Sequence, residues 1–190
     1  MNASEHFKKN KYVYLSDVTS DKECRRLTNH MFQLFQEGKT TKDTQCTLSE
    51  SIYGDPLFDN LLEVLSKPLS QLLGIQLLPT VSYARLYRPG EVLEKHTDRR
   101  ACEISATMTL GHDEKSNIWP IYLGENDEDE VGKQVIIEVG DLLMYRGNEL
   151  KHWRPKYKGE WQVQVFFHYV DANGPYADQA YDKREKAEST

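Results

Sequence analysis

The chain has 190 residues, 24 basic and 30 acidic side chains for a formal charge of −6, and a hydrophobic share of 38%. That length suits one domain able to bury roughly 70% of its unfolded surface, and the acidic balance, with a pI near 5.5, argues against a protein that wraps a phosphate backbone, since such proteins usually carry a basic face. Cys24, Cys46 and Cys102 form an odd set without paired spacing, which fits a reducing compartment better than a disulfide framework; with no apolar leader-like stretch and no run as long as a membrane span, the expectation is a soluble, cytoplasmic protein.

In chain order, "YVYL" at 12–15 reads as a short strand. In "SDVTSDKECRRLTNHMFQLFQEGK", Ser20 and Glu23 have the spacing of a capping box, and Cys24, Leu27, Met31, Leu34 and Phe35 recur at helical period until Gly38 stops the helix. Residues 39–54 are polar and read as a loop. A second helix starts with Asp55 as its cap and Pro56 in the first position and ends at Gly74, with Pro68 expected to bend or split it. From Ile75 the pattern turns to β-rich segments: "LLPTVSYARLY", "VLEKH", "CEISATMTLG", "IWPIYLG", "KQVIIEV", "DLLMYR" and "WQVQVFFHYV". Turn signals such as "RPGE" and "VGD" separate them. The acidic run from Glu125 to Glu130 reads as a solvated hairpin tip, and 172–190 as a polar, frayed tail. Helices followed by strands predict an α+β domain over 1–171, with an N-terminal strand and helices at 12–74 packed on one face of a sandwich or jelly roll formed by 75–171.

The stretch "EKHTDRR" places His96 two positions before Asp98. Standing alone, such a pair reads as a surface turn, because the motif is short. His152, in "NELKHWRP" just beyond the strand "DLLMYR", adds a third ligand. Two histidines and one carboxylate make the facial triad of non-haem Fe(II) oxygenases, which leaves coordination positions open for a cosubstrate and dioxygen. The geometry requires His96 and Asp98 at the end of one strand and its turn, and His152 on a strand beside it in space.

The order of "SYARLYRPGEVLEKHTD", "SATMTLG", "VGDLLMYRGNELKHWRP" and "QVQVFFHYVD" resembles the 2-oxoglutarate and Fe(II)-dependent dioxygenases, and within them the prolyl 4-hydroxylase-like branch, over roughly residues 80–171. The resemblance implies a double-stranded β-helix, the cupin-like jelly roll. It implies Fe(II) held by His96, Asp98 and His152, with 2-oxoglutarate as cosubstrate and dioxygen as oxidant. The implied reaction is hydroxylation of an unactivated C–H bond in a prolyl or other protein residue or in a small metabolite.

One departure from that branch matters. Where it carries a basic residue on the last strand for the far carboxylate of 2-oxoglutarate, this chain has Gln162, with Gln164 beyond it. Glutamine donates hydrogen bonds but cannot form a charged bidentate clamp. Strand alternation places Arg154 on the face of His152 and aligns Tyr83, Arg85 and Tyr87 on one face of theirs. Arg154 or Arg85 is therefore the expected clamp, with Tyr87, which matches the branch's pocket tyrosine, and Thr109, with Thr107 on its face, as supporting hydroxyls and Gln162 as a weaker contact. His168 shares the face of Gln162 and Gln164 and is at most a support for the ligands. The missing basic residue favours a competing class, a non-catalytic jelly roll that binds a metal or a ligand. A third reading, a nucleic-acid dealkylase, needs a basic stripe of Arg85, Arg88, Lys95, Arg99, Arg100 and Lys151 around the mouth.

Overall fold

The computed structural model describes residues 2–124 and 131–183. The acidic run at 125–130 and the last seven positions, 184–190, lie outside the described residues, so the hairpin-tip reading of Glu125 to Glu130 falls there too.

Each helix begins where a side-chain oxygen can take an orphan backbone N–H. Helix α1 (Ala3–Asn10), which the sequence pattern did not announce, is capped by Asn2 in a reciprocal box with Glu5. Helix α2 (Asp21–Gln36) starts at Ser20, whose hydroxyl accepts the Glu23 N–H at 3.3 Å. The Glu23 carboxylate grips Arg26 at 2.6 and 2.9 Å. Cys24, Leu27, Met31 and Leu34 are buried, whereas Phe35 sits at the surface under the Arg88 guanidinium. Helix α3 (Pro56–Leu73) is capped by Asp55, which accepts from the N–H groups of Leu57 and Phe58, and ends at Gly74 in the left-handed conformation. Pro68 does not split it. The proline removes the donor that the Val64 carbonyl would use, and Val64 is 61% exposed, so water can take that carbonyl.

The strands are β1 (Tyr12–Leu15), β2 (Glu50–Tyr53), β3 (Leu77–Tyr87), β4 (Leu93–His96), β5 (Ile104–His112), β6 (Ile121–Gly124), β7 (Lys133–Val135), β8 (Leu142–Tyr145), β9 (Lys151–Arg154) and β10 (Gln162–Asp171). They form two antiparallel sheets, ordered β1-β8-β5-β10-β3-β2 and β4-β9-β6-β7. This is a double-stranded β-helix with the helices on the outer face of the larger sheet. Two expectations need correcting. Residues 39–54 are not all loop, because Glu50–Tyr53 joins the sheet edge beside β3 and Thr41 bridges Ser51. The segment expected to fray is partly fixed, because Ala177–Lys183 turns back onto β3 and Asp182 pairs with Arg99 at 2.6 Å. Its polar side chains find partners on the body, which composition alone does not reveal.

Alternation along the larger sheet creates two interiors. Ala84, Leu86, Ile104, Ala106, Met108, Val163, Val165 and Phe167 face α2 and α3 and join their apolar side chains in the main core. Their neighbours, including Tyr83, Arg85, Tyr87, Ser105, Thr107, Thr109, Gln162, Gln164 and His168, point toward the smaller sheet. An apolar plug of Ile121, Leu123, Val135, Ile137, Leu143, Tyr145 and Leu150 fills one side of the space between the sheets. A second cluster around Tyr87, Leu93, Trp119, Tyr157 and Phe166 fills another.

Candidate active site

The end of β4, the turn after it and the middle of β9 converge. His96 pairs with His152 across the antiparallel β4–β9 ladder, and Asp98 is fixed in the turn by its N–H, which donates to the Gly147 carbonyl at 2.7 Å. The candidate ligand atoms of His96, Asp98 and His152 all lie within 4.8 Å of one another. Asp98 Oδ1 is 3.7 Å from His96 Nε2 and 3.4 Å from His152 Nε2, and the two imidazole centroids are 4.2 Å apart.

The tautomers follow from the partners. His96 Nδ1 faces the Glu94 carbonyl at 2.7 Å and His152 Nδ1 the Leu150 carbonyl at 3.0 Å. A carbonyl only accepts, so each Nδ1 carries a proton, and each Nε2 is the ring nitrogen turned toward the Asp98 carboxylate. Backbone-oriented imidazoles of this kind are how metal-binding histidines are usually held.

The carboxylate is braced from the other side. Ser105 Oγ donates to Asp98 Oδ2 at 2.7 Å, and since that spends its only proton, His168 Nδ1 donates to Ser105 Oγ at 3.0 Å. Oδ2 is thereby occupied and Oδ1 is left to face the histidines. Burial pushes the Asp98 carboxyl up, but His152, the hydrogen bonds of both histidines and His168 outweigh it and hold the group well below the usual carboxylate range. Burial pushes the His168 imidazole down to about 4. Gly147 closes the arrangement: a Cβ there would stand 2.3 Å from Asp98 Oδ2 and 2.6 Å from Ser105 Oγ, so no other residue fits without moving the carboxylate.

Next to the three residues is a cavity of about 150 Å³ walled by Gln45, Tyr83, Arg85, Leu93, Tyr145, Phe166 and His168. Wider clefts of about 710 and 450 Å³ lie on other parts of the surface and contain none of the three.

The two candidate clamp arginines differ sharply. Arg85 is already neutralised: its Nε and Nη2 donate to Asp43 Oδ2 at 3.1 and 2.6 Å, Nη2 also donates to Gln45 Oε1, and Nη1 reaches the Tyr87 hydroxyl at 3.4 Å. Arg154 is 1% exposed, donates from Nη1 to the Trp119 carbonyl, and has no partner for Nε or Nη2 among the described residues. Its guanidinium lies over the rings of Tyr87 and Trp119, and burial pushes it down from its ordinary value. A buried cation with two idle donors is costly unless an anion completes it.

The remaining expected contacts are committed to each other. Gln162 Oε1 accepts the Trp119 N–H at 2.8 Å, and Gln162 Nε2 donates to Gln164 Oε1. Thr109 Oγ1 donates to the same oxygen at 3.1 Å, and Gln164 Nε2 donates to Thr107 Oγ1 at 2.8 Å. The glutamine on the last strand thus braces the wall under Trp119. Of the basic stripe, Arg85 is buried against Asp43, Arg88 covers Phe35, Lys95 lies over Trp153, Arg99 holds Asp182 and Arg100 lies over Tyr176. Sequence reasoning missed Asp43, Gln45, Ser105 and Gly147. Ser105 shares the two-residue alternation of Thr107 and Thr109 and could have been read from it, whereas Asp43 and Gln45 act through partners remote in sequence.

No family model matches the chain, and no curated protein matches it. Solved structures do. A prolyl-4-hydroxylase from Pseudomonas putida superposes with a TM-score of 0.73 at 15% identity, over 89% of this chain and 97% of that one. The non-heme α-ketoglutarate-dependent carbocyclase SnoK from nogalamycin biosynthesis gives 0.72 at 14% identity, over 90% and 83%. HygX from Streptomyces hygroscopicus, with nickel and 2-oxoglutarate bound, gives 0.70 at 13% identity, over 90% and 87%. At such identities the likeness shows the fold, the double-stranded β-helix of the 2-oxoglutarate and Fe(II) oxygenases.

Proposed function

We propose that the chain is an Fe(II)- and 2-oxoglutarate-dependent oxygenase that hydroxylates an unactivated C–H bond. The observation that carries this reading is Arg154, a buried cation with two idle donors, set two residues beyond His152 and so roughly 7 Å along β9 on the same face. A metal site at the mouth and an anion receptor one strand step below it suit a cosubstrate with a chelating end and a distant carboxylate. The substrate in this reading is a prolyl or other residue of a protein, or a small metabolite.

The donor set suits such a metal: two imidazoles and one carboxylate beside a cavity. Fe(II), when bound, supplies the activation of dioxygen and the oxidation of the C–H bond. The chain supplies geometry. His96 and His152 turn their Nε2 atoms toward Asp98 Oδ1, Ser105 and His168 brace the carboxylate from its other oxygen, and Gly147 leaves the space they need. Arg154 takes the far carboxylate, with Tyr87 stacked beside its guanidinium. Leu93, Tyr145 and Phe166 line the approach with apolar surface that limits water.

The competing reading, a binding protein without turnover, rested on the missing basic residue of the last strand; Arg154 supplies a charge to the same barrel from β9. We place the enzyme in the cytoplasm, on its three buried free thiols, and no helix among the described residues is long and apolar enough to cross a membrane. We read 1–171 as one catalytic unit. The test is anaerobic titration of the purified protein with Fe(II) and 2-oxoglutarate, watching for the visible charge-transfer band of the chelate, followed by oxygen and a succinate assay. A band and slow succinate formation are expected. No band in either order of addition overturns the proposal.

A further inference from the structure

Within the segment expected to be plain loop lies a built turn. Asp43 Oδ1 accepts the N–H groups of Gln45 at 2.9 Å and Cys46 at 2.7 Å, while Oδ2 is held by Arg85 and the Tyr83 hydroxyl. Both flanks are anchored. Thr41 and Ser51 exchange backbone hydrogen bonds at 2.8 Å, and the Leu48 N–H and Ser49 hydroxyl donate to the buried Glu91 carboxylate at 2.9 and 2.6 Å. From this turn the Gln45 side chain reaches across the mouth of the barrel. Its Oε1 accepts from Arg85 Nη2 at 2.7 Å, which fixes the orientation of the amide and leaves Nε2 to donate to His96 Nε2 at 2.9 Å.

His96 has spent its Nδ1 proton on Glu94, so Nε2 carries a single lone pair, and that lone pair is what a metal needs. One lone pair cannot serve an amide donor and a metal together. We infer that Gln45 is a cap on the candidate metal ligand, its amide competing with a metal for the one lone pair of His96, so that occupancy of the site is transmitted to the turn at 42–45 and to Arg85. The inference rests on the metal assignment proposed above.

The test uses the full metal-free chain and Zn(II) alone, with affinity measured by competition against a chelating indicator. Gln45 is exposed, so Gln45→Ala keeps its fold. The variant binds Zn(II) roughly fivefold more tightly, the equivalent of one ordinary hydrogen bond no longer lost on binding. In ¹⁵N-labelled protein, the side-chain amide signal that disappears in Gln45→Ala shifts and exchanges faster when Zn(II) saturates the wild type. Equal affinities in the two proteins, or an amide signal that stays in place at saturation, overturn the cap. Zn(II) binding that depends on His96 but ignores Gln45 removes only this inference, whereas binding that survives His96→Ala unchanged removes the metal assignment with it.

Discussion

The two faces of β10 are equally dry and chemically opposite. Toward the helices stand Val163, Val165, Phe167 and Tyr169, all at 0% exposure; toward the smaller sheet stand Gln162 and Gln164, also at 0%, with Phe166 and His168 close behind. Burial therefore does not separate core from site, but polarity does. On the helix side the strand contributes apolar area, and its one hydroxyl, on Tyr169, donates to the Leu62 carbonyl. On the barrel side it buries polar groups that survive by bonding one another, from Trp119 through both glutamines to Thr107 and Thr109. A fold that needs only stability would fill both sides alike. Among the described residues on that side, Arg154 is the charged group that keeps two donors unpaired, and those donors are what the proposed cosubstrate would complete.

This contrast can be broken from either side. The largest effect is expected from His152→Ala, which abolishes Fe(II) binding and turnover while far-ultraviolet circular dichroism retains the native spectrum; full activity in the variant would sink the metal assignment. Phe167→Ala, on the other face of β10, destabilises by about 3–5 kcal/mol in urea unfolding, since it empties a site in the main core. The folded fraction of that variant keeps its metal affinity, which a shared role for the two faces would not allow.

Arg154→Leu sharpens the comparison within the barrel. Removing two charge-assisted hydrogen bonds weakens 2-oxoglutarate binding roughly a hundredfold, while the melting temperature holds or rises because a buried, incompletely paired cation is gone. Gln162→Ala should do the reverse, lowering the melting temperature by freeing the Trp119 N–H and changing 2-oxoglutarate affinity little. The opposite ranking in isothermal titration would assign the clamp to the last strand after all.

The smallest effect concerns pH. His168 titrates at about 4 in the folded protein, below its unfolded value, because burial disfavours the charged imidazole. The unfolded chain therefore binds the proton first. The stability His168 contributes is complete above about pH 6.5 and is lost as the pH falls toward 4, by at most about 3 kcal/mol. Urea midpoints of the metal-free protein across that window should fall more steeply in the wild type than in His168→Gln.

Much of the architecture was legible because its signals are local. Ser20, Asp55 and Gly74 announce helix ends within a few residues, and the 3.6- and 2-residue periods separate the helical half from the β half. Where locality fails, the reading fails with it. Pro68 signals a break, but Val64, the residue whose carbonyl loses its donor, stands on the exposed side of α3, and the helix continues. The β2 strand carries little pattern of its own and forms because β3 offers an open edge.

By itself the sequence determined the α+β order, the alternation that aims Tyr87, Arg85, Arg154 and the glutamines into one barrel, and the identities of two histidines and an aspartate at plausible spacing. Tertiary structure decided which groups are spoken for. Arg85 and Arg154 are indistinguishable as letters on alternating strands; Asp43, far away in sequence, pairs with the first and no carboxylate among the described residues reaches the second. The brace of Ser105 and His168 on Asp98 and the seat of Gln45 on His96 have the same origin. Periodicity and capping are properties of neighbours along the chain, whereas pairing and its absence depend on which distant segments the closed barrel brings within hydrogen-bond reach.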